Sequence, residues 1–577
     1  MIAGPIFQRE VLTLPRQPAH FVMRSGYIAA LLVLMYTAGQ ATFGWQTATG
    51  IGELSRFGTQ LFQLFSVVQL VLVMFFAPLL AAGRVAQEKD RQTLILLLMT
   101  DLRDRELVFG KLLASLLPVG VLVLVSAPVF AAVYLLGGVS LAQIGWSLAL
   151  AAATGFATGS WGALVAFWRE KTFQTLAISV LGIVLFLGVV EAGIALAGAG
   201  SPAATALSIL NPFRGLGLIL DPLGAQPDVR FESVPAWPFV FSLVSIAVVL
   251  NGVSILRLRV WNPSRQMFVQ AASKEEAQAV AEKATRQIWN NPIIWREVCT
   301  RAYGRKMIFI KLAYLTLFLF AGSYAWSSLQ GEAAPVLGMV APFGAAFIAM
   351  SFITLLLVNA QAVTSISTER DAKTLELLLV TEISAREFIW GKLGGIVYNA
   401  KETILLPLLG LLFFRYNGQL DTEQTIYLGL GLLALVGFAS MLGVHFGLAF
   451  DNSRHAIANS LGTIFFLFLG IFVCMVLIVE ARSSFLVQLP SFLVFILGGS
   501  VGLWAALTHK NPSGALTLAA GLLPFFTFWA ITDFLMNGSL GPWLAITGAY
   551  GFTTIAMLIP AVSEFDVALG RSTMDRG

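Results

Sequence analysis

Long apolar runs separated by short polar ones set the pattern of this chain. Runs able to cross a hydrocarbon core of about 30 Å fall at 27–45, 61–82, 112–136, 144–168, 173–196 and 239–256. A second series follows at 307–326, 336–358, 393–414, 425–450, 456–479 and 485–507. Two more runs, 515–534 and 544–562, have no counterpart in the first series. Only helices and closed barrels satisfy their backbone inside lipid, and runs of this length are helical. The pattern therefore predicts an all-α polytopic membrane protein of about 14 transmembrane helices: two tandem six-span halves related by a pseudo-two-fold repeat, plus a C-terminal two-span hairpin. The boundaries read as a first half over 1–262, a linker over 263–290, a second half over 291–510, and the hairpin with its tail over 511–577.

The repeat is visible in the residues themselves. Glu88 to Leu112 recurs as Glu369 to Leu393, a shift of 281 positions without a gap, with 13 of 25 aligned residues identical. The identities include Glu88/Glu369, Asp90/Asp371, Thr93/Thr374, Leu94/Leu375, Leu97/Leu378, Leu98/Leu379, Thr100/Thr381, Arg105/Arg386, Glu106/Glu387 and Lys111/Lys392. So long an internal match fixes the architecture as a fused pair of similar halves. The surface segment before each first span is shared as well, with "GPIFQREV" at Gly4 echoed by "NPIIWREV" at Asn291. In the earlier of these, Ile2, Ile6, Phe7, Val11 and Leu14 form a short interfacial stripe that Pro15 and Pro18 break.

Each copy of the repeat lies between two spans. A helix runs out to Asp90 or Asp371 and turns. A run of the form T-L-x-L-L-L-x-T follows, too apolar for a solvated loop and too short to cross the bilayer. Such a run needs a surface to lie on, either the headgroup layer or a docked partner. In the later copy Ser384 and Glu387 form a capping box that starts the next helix. In the earlier copy Arg103 stands in place of the serine, which leaves Asp101 or Asp104 to cap. Lys111 and Lys392 sit where a long side chain can snorkel to headgroups.

Composition sharpens the class. Of 577 residues 57% are hydrophobic and 12% charged, about half the charge of a soluble chain. The formal net charge of +5 does not point to nucleic acid. All but six of the 36 basic residues fall on the side that carries the two repeat copies, the linker and both termini, which makes that side cytoplasmic. In the linker, Ser273 and Glu276 have capping-box spacing ahead of a charged helical sequence. The longest outward loop, 200–238, is rich in Gly and Pro and reads as short helices dipping into the outer interface.

Ionisable residues inside spans are functional suspects; here they are Glu191, Lys401, Glu402, His445 and Asp533, none matched in the other half. Lys401 and Glu402 are adjacent and point about 100° apart on a helix, so they need not pair with each other. The four histidines are scattered and form no H-E-x-x-H metal motif, and Cys299 and Cys474 suit free thiols better than a disulfide framework. The chain has no G-x-x-x-x-G-K-[ST] phosphate loop.

The stretch "STERDAKTLELLLVTEISAREFIWGKL" resembles the segment between the second and third spans of the type-2 ABC transporter permease family. The resemblance is one of layout over most of both halves and of sequence over the two 25-residue copies. It implies a permease of the inner (cytoplasmic) membrane that works as an exporter, is itself no enzyme and holds no cofactor. ATP and Mg would be bound by a separate ABC ATPase subunit, in two copies, each meeting one coupling helix. The coupling residues implied are Glu88, Asp90, Thr93, Leu94, Leu97, Leu98, Thr100 and Glu106, with Glu369, Asp371, Thr374, Leu375, Leu378, Leu379, Thr381 and Glu387. Where the family pattern has Gly before the first Thr this chain has Gln92 and Lys373, and where it has Pro after the second Thr the chain has Asp101 and Glu382. The competing reading is a scaffold or mechanotransmission subunit driven by the same kind of ATPase.

Overall fold

The protein is described from a computed structural model that covers residues 4–13, 16, 18–44, 50–198, 200–220, 236–262, 289, 291–299, 307–330, 340–375, 383–481, 485–509, 513–535 and 538–568. The charged linker with Ser273 and Glu276, the outer stretch 221–235, the run 376–382 and the C-terminal tail from 569 lie outside the described residues. The described part is all-helical apart from turns and one isolated bridge residue.

The first repeat holds α1 (Gly4–Thr13), α2 (Pro18–Phe43), α3 (Ile51–Asp90), α4 (Thr93–Leu98), α5 (Asp104–Leu136), α6 (Leu141–Trp168), α7 (Thr172–Ala197), α8 (Pro202–Ser208), α9 (Pro212–Leu220) and α10 (Trp237–Trp261). The second holds α11 (Pro292–Cys299), α12 (Met307–Gln330), α13 (Pro342–Asp371), α14 (Ala385–Asn399), α15 (Lys401–Tyr416), α16 (Thr422–Ala449) and α17 (Ser453–Ala481). Then come α18 (Phe485–Leu507), α19 (Gly514–Leu535) and α20 (Leu540–Ala568). Thirteen of these helices are long and apolar enough to span a membrane. The pair α14–α15, bent by 56° between Asn399 and Lys401, makes a fourteenth span where the first repeat has the single helix α5. The chain is a polytopic all-α membrane protein.

The repeat extends far beyond the matched 25 residues. The same shift of 281 carries the first residues of α5, α6 and α7 onto those of α14, α16 and α17. Even the caps agree: Ser140 and Asp421 each close a box with a glutamine three residues on. The broadest helix pairings are α3 with α6 and α13 with α16. A glycine at the same aligned place permits both crossings. A Cβ on Gly162 would collide with the Pro78 backbone, and one on Gly443 would lie 2.8 Å from the Asn359 carbonyl oxygen.

The two repeats meet reciprocally. Helix α7 packs on α12 and α13, and its counterpart α17 packs on α2 and α3. That exchange is what a two-fold, isologous contact requires, with each side supplying the same surface. One core cluster runs across the joint, where the Phe75 ring of α3 stacks on Phe465 of α17 with centroids 4.1 Å apart.

The last helices are arranged differently from the order the apolar runs imply. The first repeat's sixth span, α10, lies against α6 and α5, and in the second repeat the partner of α16 and α14 is α20, not α18. Phe438 of α16 meets Tyr550 of α20 edge to face, and Tyr427 stacks on Trp543. The extra pair is therefore α18–α19, inserted between the fifth and sixth positions, rather than a hairpin appended after the sixth. Hydropathy counts runs but carries no information on which neighbour each run chooses.

On the side away from the repeat copies, α8 and α9 meet at 92°. Arg214 of α9 donates to both carboxylate oxygens of Glu191 at 2.8 and 2.7 Å, and Asn211 donates to Glu191 at 2.6 Å. Glu191 thus anchors the short helices to α7. Glu402 pairs with Lys311 at 2.6 Å, while Lys401 lies over the Tyr398 ring, so the adjacent Lys401 and Glu402 do not pair with each other. His445 meets the Leu507 carbonyl at 2.9 Å. Pro407 leaves the Thr403 carbonyl without its helical donor, and the Tyr314 and Thr354 hydroxyls fill the place at 3.0 Å each.

Candidate functional site

Each repeat copy forms an elbow. Helix α3 ends at Asp90, Arg91 caps it, and Gln92 takes a left-handed conformation with φ 57°. In the second copy α13 ends at Asp371 and Lys373 takes the same φ of 57°. These are the two non-glycine residues with positive φ among the described residues, and they occupy the same aligned position. A threonine fastens each turn: Thr93 donates its hydroxyl to the Glu88 carbonyl at 3.3 Å, and Thr374 donates to the Glu369 carbonyl at 3.1 Å.

The glutamates that supply those carbonyls send their side chains to the following helix. Lys111 of α5 pairs with Glu88, and Lys392 of α14 pairs with Glu369 at 2.7 Å. Lys392 is 1% exposed and also meets Glu297 of the surface helix α11 at 2.7 Å and the Ser365 carbonyl at 3.0 Å. Arg296 of α11 reaches Glu369 as well. In the first copy Glu10 of α1 pairs instead with Arg84 at 3.5 Å, Arg84 standing where the second copy has Ser365. The two lysines do not snorkel to headgroups. A buried carboxylate within reach outcompetes the lipid surface, because each charge would otherwise be desolvated alone.

A third matched contact locks the elbow to the neighbouring span. Lys89 donates to the carbonyls of Phe167 at 2.6 Å and Arg169 at 3.0 Å. Its counterpart Arg370 donates to those of Leu448 at 3.0 Å and Phe450. These are the aligned carbonyls at the ends of α6 and α16, where a helix leaves its last acceptors unpaired and favours a cation. Asp90 accepts from Thr172 at the start of α7. Its counterpart Asp371 does not repeat that bond. It takes Arg91 of the first copy, Nη2 to Oδ1 3.0 Å, and Gln87 donates to Asn452, just ahead of α17, at 3.0 Å. The roots of the two elbows are thereby joined to each other.

The leucine run divides between two surfaces. Leu94 and Leu98, four apart and so on one face, are buried in the main core cluster with Leu97 packed beside them. Leu96 is 64% exposed and Met99 69% exposed. The outward apolar face thus belongs to Leu96 and Met99, whereas the implied coupling leucines Leu94, Leu97 and Leu98 hold α4 to its own protein. Leu375 likewise packs on the core; Leu378, Leu379 and Thr381 lie outside the described residues.

Beyond α4, Thr100 donates to the Leu97 carbonyl at 2.6 Å and ends the short helix. Neither Asp101 nor Asp104 caps α5. Arg103 is the N-cap residue, and the Glu106 carboxylate accepts from its N–H at 3.2 Å. Asp104 is already helical and pairs with Arg259 at 2.8 Å. In the second copy the full reciprocal box forms, with Glu387 N–H to Ser384 Oγ at 3.3 Å and Ser384 N–H to Glu387 at 3.0 Å.

Glu10/Glu297 and Lys89/Arg370 were not among the implied site residues, although their positions were marked by the aligned motif and by a basic residue in both copies. Arg91 aligns with Ala372 and had no such mark. Fold and site together define a duplicated helical membrane protein with two braced elbows side by side on one face. Compared with known proteins, the chain matches no protein-family model and no curated sequence.

Proposed function

We propose that this chain is the membrane-spanning permease of an ABC-type transporter, that its elbows are coupling elements, and that a separate ATPase docks on them from the cytoplasm and drives export. The observation that carries this reading is the paired elbow turn. Both copies place a left-handed residue ahead of a fastening threonine, at the position where the resembled family carries glycine, and the first copy turns Leu96 and Met99 outward from a helix whose other face is anchored. Glycine is the residue that adopts such a φ without strain, so Gln92 and Lys373 keep the turn that the family pattern implies.

The bracing supports transmission of force. A push on α4 acts on the ends of α3 and α5 through Glu88–Lys111, on α6 through Lys89, and on the other repeat through Arg91–Asp371. The reciprocal packing of α7 and α17 supplies a joint that two similar halves can rock about.

A photo-crosslinking residue at position 96 or 99 of the full chain, activated in intact cells, should capture a protein that bears a phosphate loop. The same residue at Tyr416, exposed on the opposite side, should not. Failure to capture such a protein at 96 and 99, or equal capture at 416, counts against the proposal.

A further inference from the structure

A cleft of about 400 Å³ opens on the flank of the first repeat between α6, α7 and α12. Its walls are apolar: Trp161 and Trp168 from α6, Leu181 and Val189 from α7, and Ala313 from α12. At its end nearest the elbows lies Arg169, in the turn between α6 and α7. The guanidinium sits over the Trp168 ring at 3.4 Å and the Phe309 ring at 5.4 Å. Arg169 is 3% exposed, and its Nε is buried with no hydrogen-bond partner among the described residues. A buried guanidinium that, among the described residues, faces rings and no carboxylate carries a desolvation penalty that an anion would offset, with bidentate geometry suited to phosphate.

The other repeat shows what kind of body belongs there. On the equivalent flank the inserted helix α18 packs on α2 and α17, and the Leu507 carbonyl at its end meets His445 of α16 at 2.9 Å. The Phe495 ring of α18 faces Gly470, the residue aligned with Val189, and lies 3.9 Å from where a Cβ on that glycine would stand. His509, just beyond the end of α18, stacks on Phe450, the residue aligned with Arg169, with centroids 4.5 Å apart. One flank therefore holds a long apolar body ending in a polar group, supplied by the chain. The first flank has a groove at the same place, a cation at its polar end and, among the described residues, no inserted helix to cover it.

We infer that the α6–α7–α12 cleft is a binding site for an anionic glycerophospholipid of the leaflet on the elbow side, an acyl chain lying along Leu181 and Val189 and the phosphate meeting Arg169. Basic pockets between spans at that depth take lipid head groups, and the cleft is of the size that small ligands fill. The site stands whether or not an ATPase docks at the elbows.

The full chain, purified in detergent, is incubated with phosphatidylglycerol or phosphatidylcholine and examined by native mass spectrometry. The parent should retain phosphatidylglycerol in preference to phosphatidylcholine. Arg169→Gln should lower phosphatidylglycerol retention on the order of tenfold, the loss of one charge-assisted contact, and leave phosphatidylcholine unchanged; Arg169→Lys should keep most of the preference. Ala313→Phe, which fills the cleft away from the cation, should lower both lipids. A parent without preference, an Arg169→Gln protein that keeps it, or an Ala313→Phe protein that binds both lipids as before would each overturn the assignment. Parent-like thermal unfolding of the Arg169→Lys and Ala313→Phe proteins controls for misfolding.

Discussion

Lys392 and Lys111 are aligned lysines with the same glutamate partner, yet their surroundings differ. Lys392 is enclosed by Glu297, Glu369 and the Ser365 carbonyl, whereas among the described residues the Lys111 ammonium meets Glu88 alone. Removing one member of a buried ion pair costs roughly 3–5 kcal/mol when the other is left alone; Arg296 still meets Glu297 and Glu369, so loss of Lys392 costs less than that but leaves two carboxylates to one cation. Lys392→Met should therefore lower the thermal unfolding temperature of the detergent-solubilised chain clearly more than Lys111→Met; equal shifts would show that the enclosure of Lys392 contributes nothing. Nothing in the sequence around Lys392 reveals this, since its partner Glu297 is 95 positions away. Gln92 is the opposite case, a residue whose type argues against the conformation it holds. Gln92→Gly should be tolerated, and Gln92→Val should destabilise by about 1–2 kcal/mol because a branched Cβ fits a left-handed φ poorly. Identical unfolding curves for the two variants would mean that the turn is not left-handed in solution.

At the scale of elements, α4 shows how far a repeated pattern can be read. The T-L-x-L-L-L-x-T run announces a short helix with an apolar face, and its recurrence announces that the element matters. It does not announce that the face splits, because inward and outward leucines are the same residue type. Helical spacing alone pairs Leu94 with Leu98; only the packing of α4 on α3 and into the main core cluster determines that this pair points inward. Leu94→Asp should reduce the yield of folded protein, while Leu96→Asp should leave folding intact and reduce capture of a partner. A chain that folds equally well with either change would dissolve the distinction. The crossing of α3 and α6 gives a second test. Gly162→Ala puts a methyl group into the Pro78 backbone, and such overpacking costs about 1–3 kcal/mol. Gly217→Ala, on α9 with open space around it, serves as the control.

For the molecule as a whole, the orderly spacing of the spans made the two repeats legible, and the constant offset held from α5 through the start of α17. What failed was the assignment of the last three helices, since a run of apolar residues fits any flank of a bundle equally well by composition. The packing of α20 on α16 leads to a deletion experiment. Joining Ala481 to Leu540 by a short linker removes an up-and-down pair and preserves the direction of α20, so the protein should still insert and elute as a single species. Ending the chain before α19 removes the sixth-position helix and should give aggregates. The reverse result would restore α18 to that position. The one-sided placement of α18–α19 also has a consequence for descent and use. An assembly of two identical subunits must wear every ornament twice. Once both are written into a single polypeptide, one shoulder can be plugged while the other stays bare, and anything arriving sideways through the bilayer meets a left and a right.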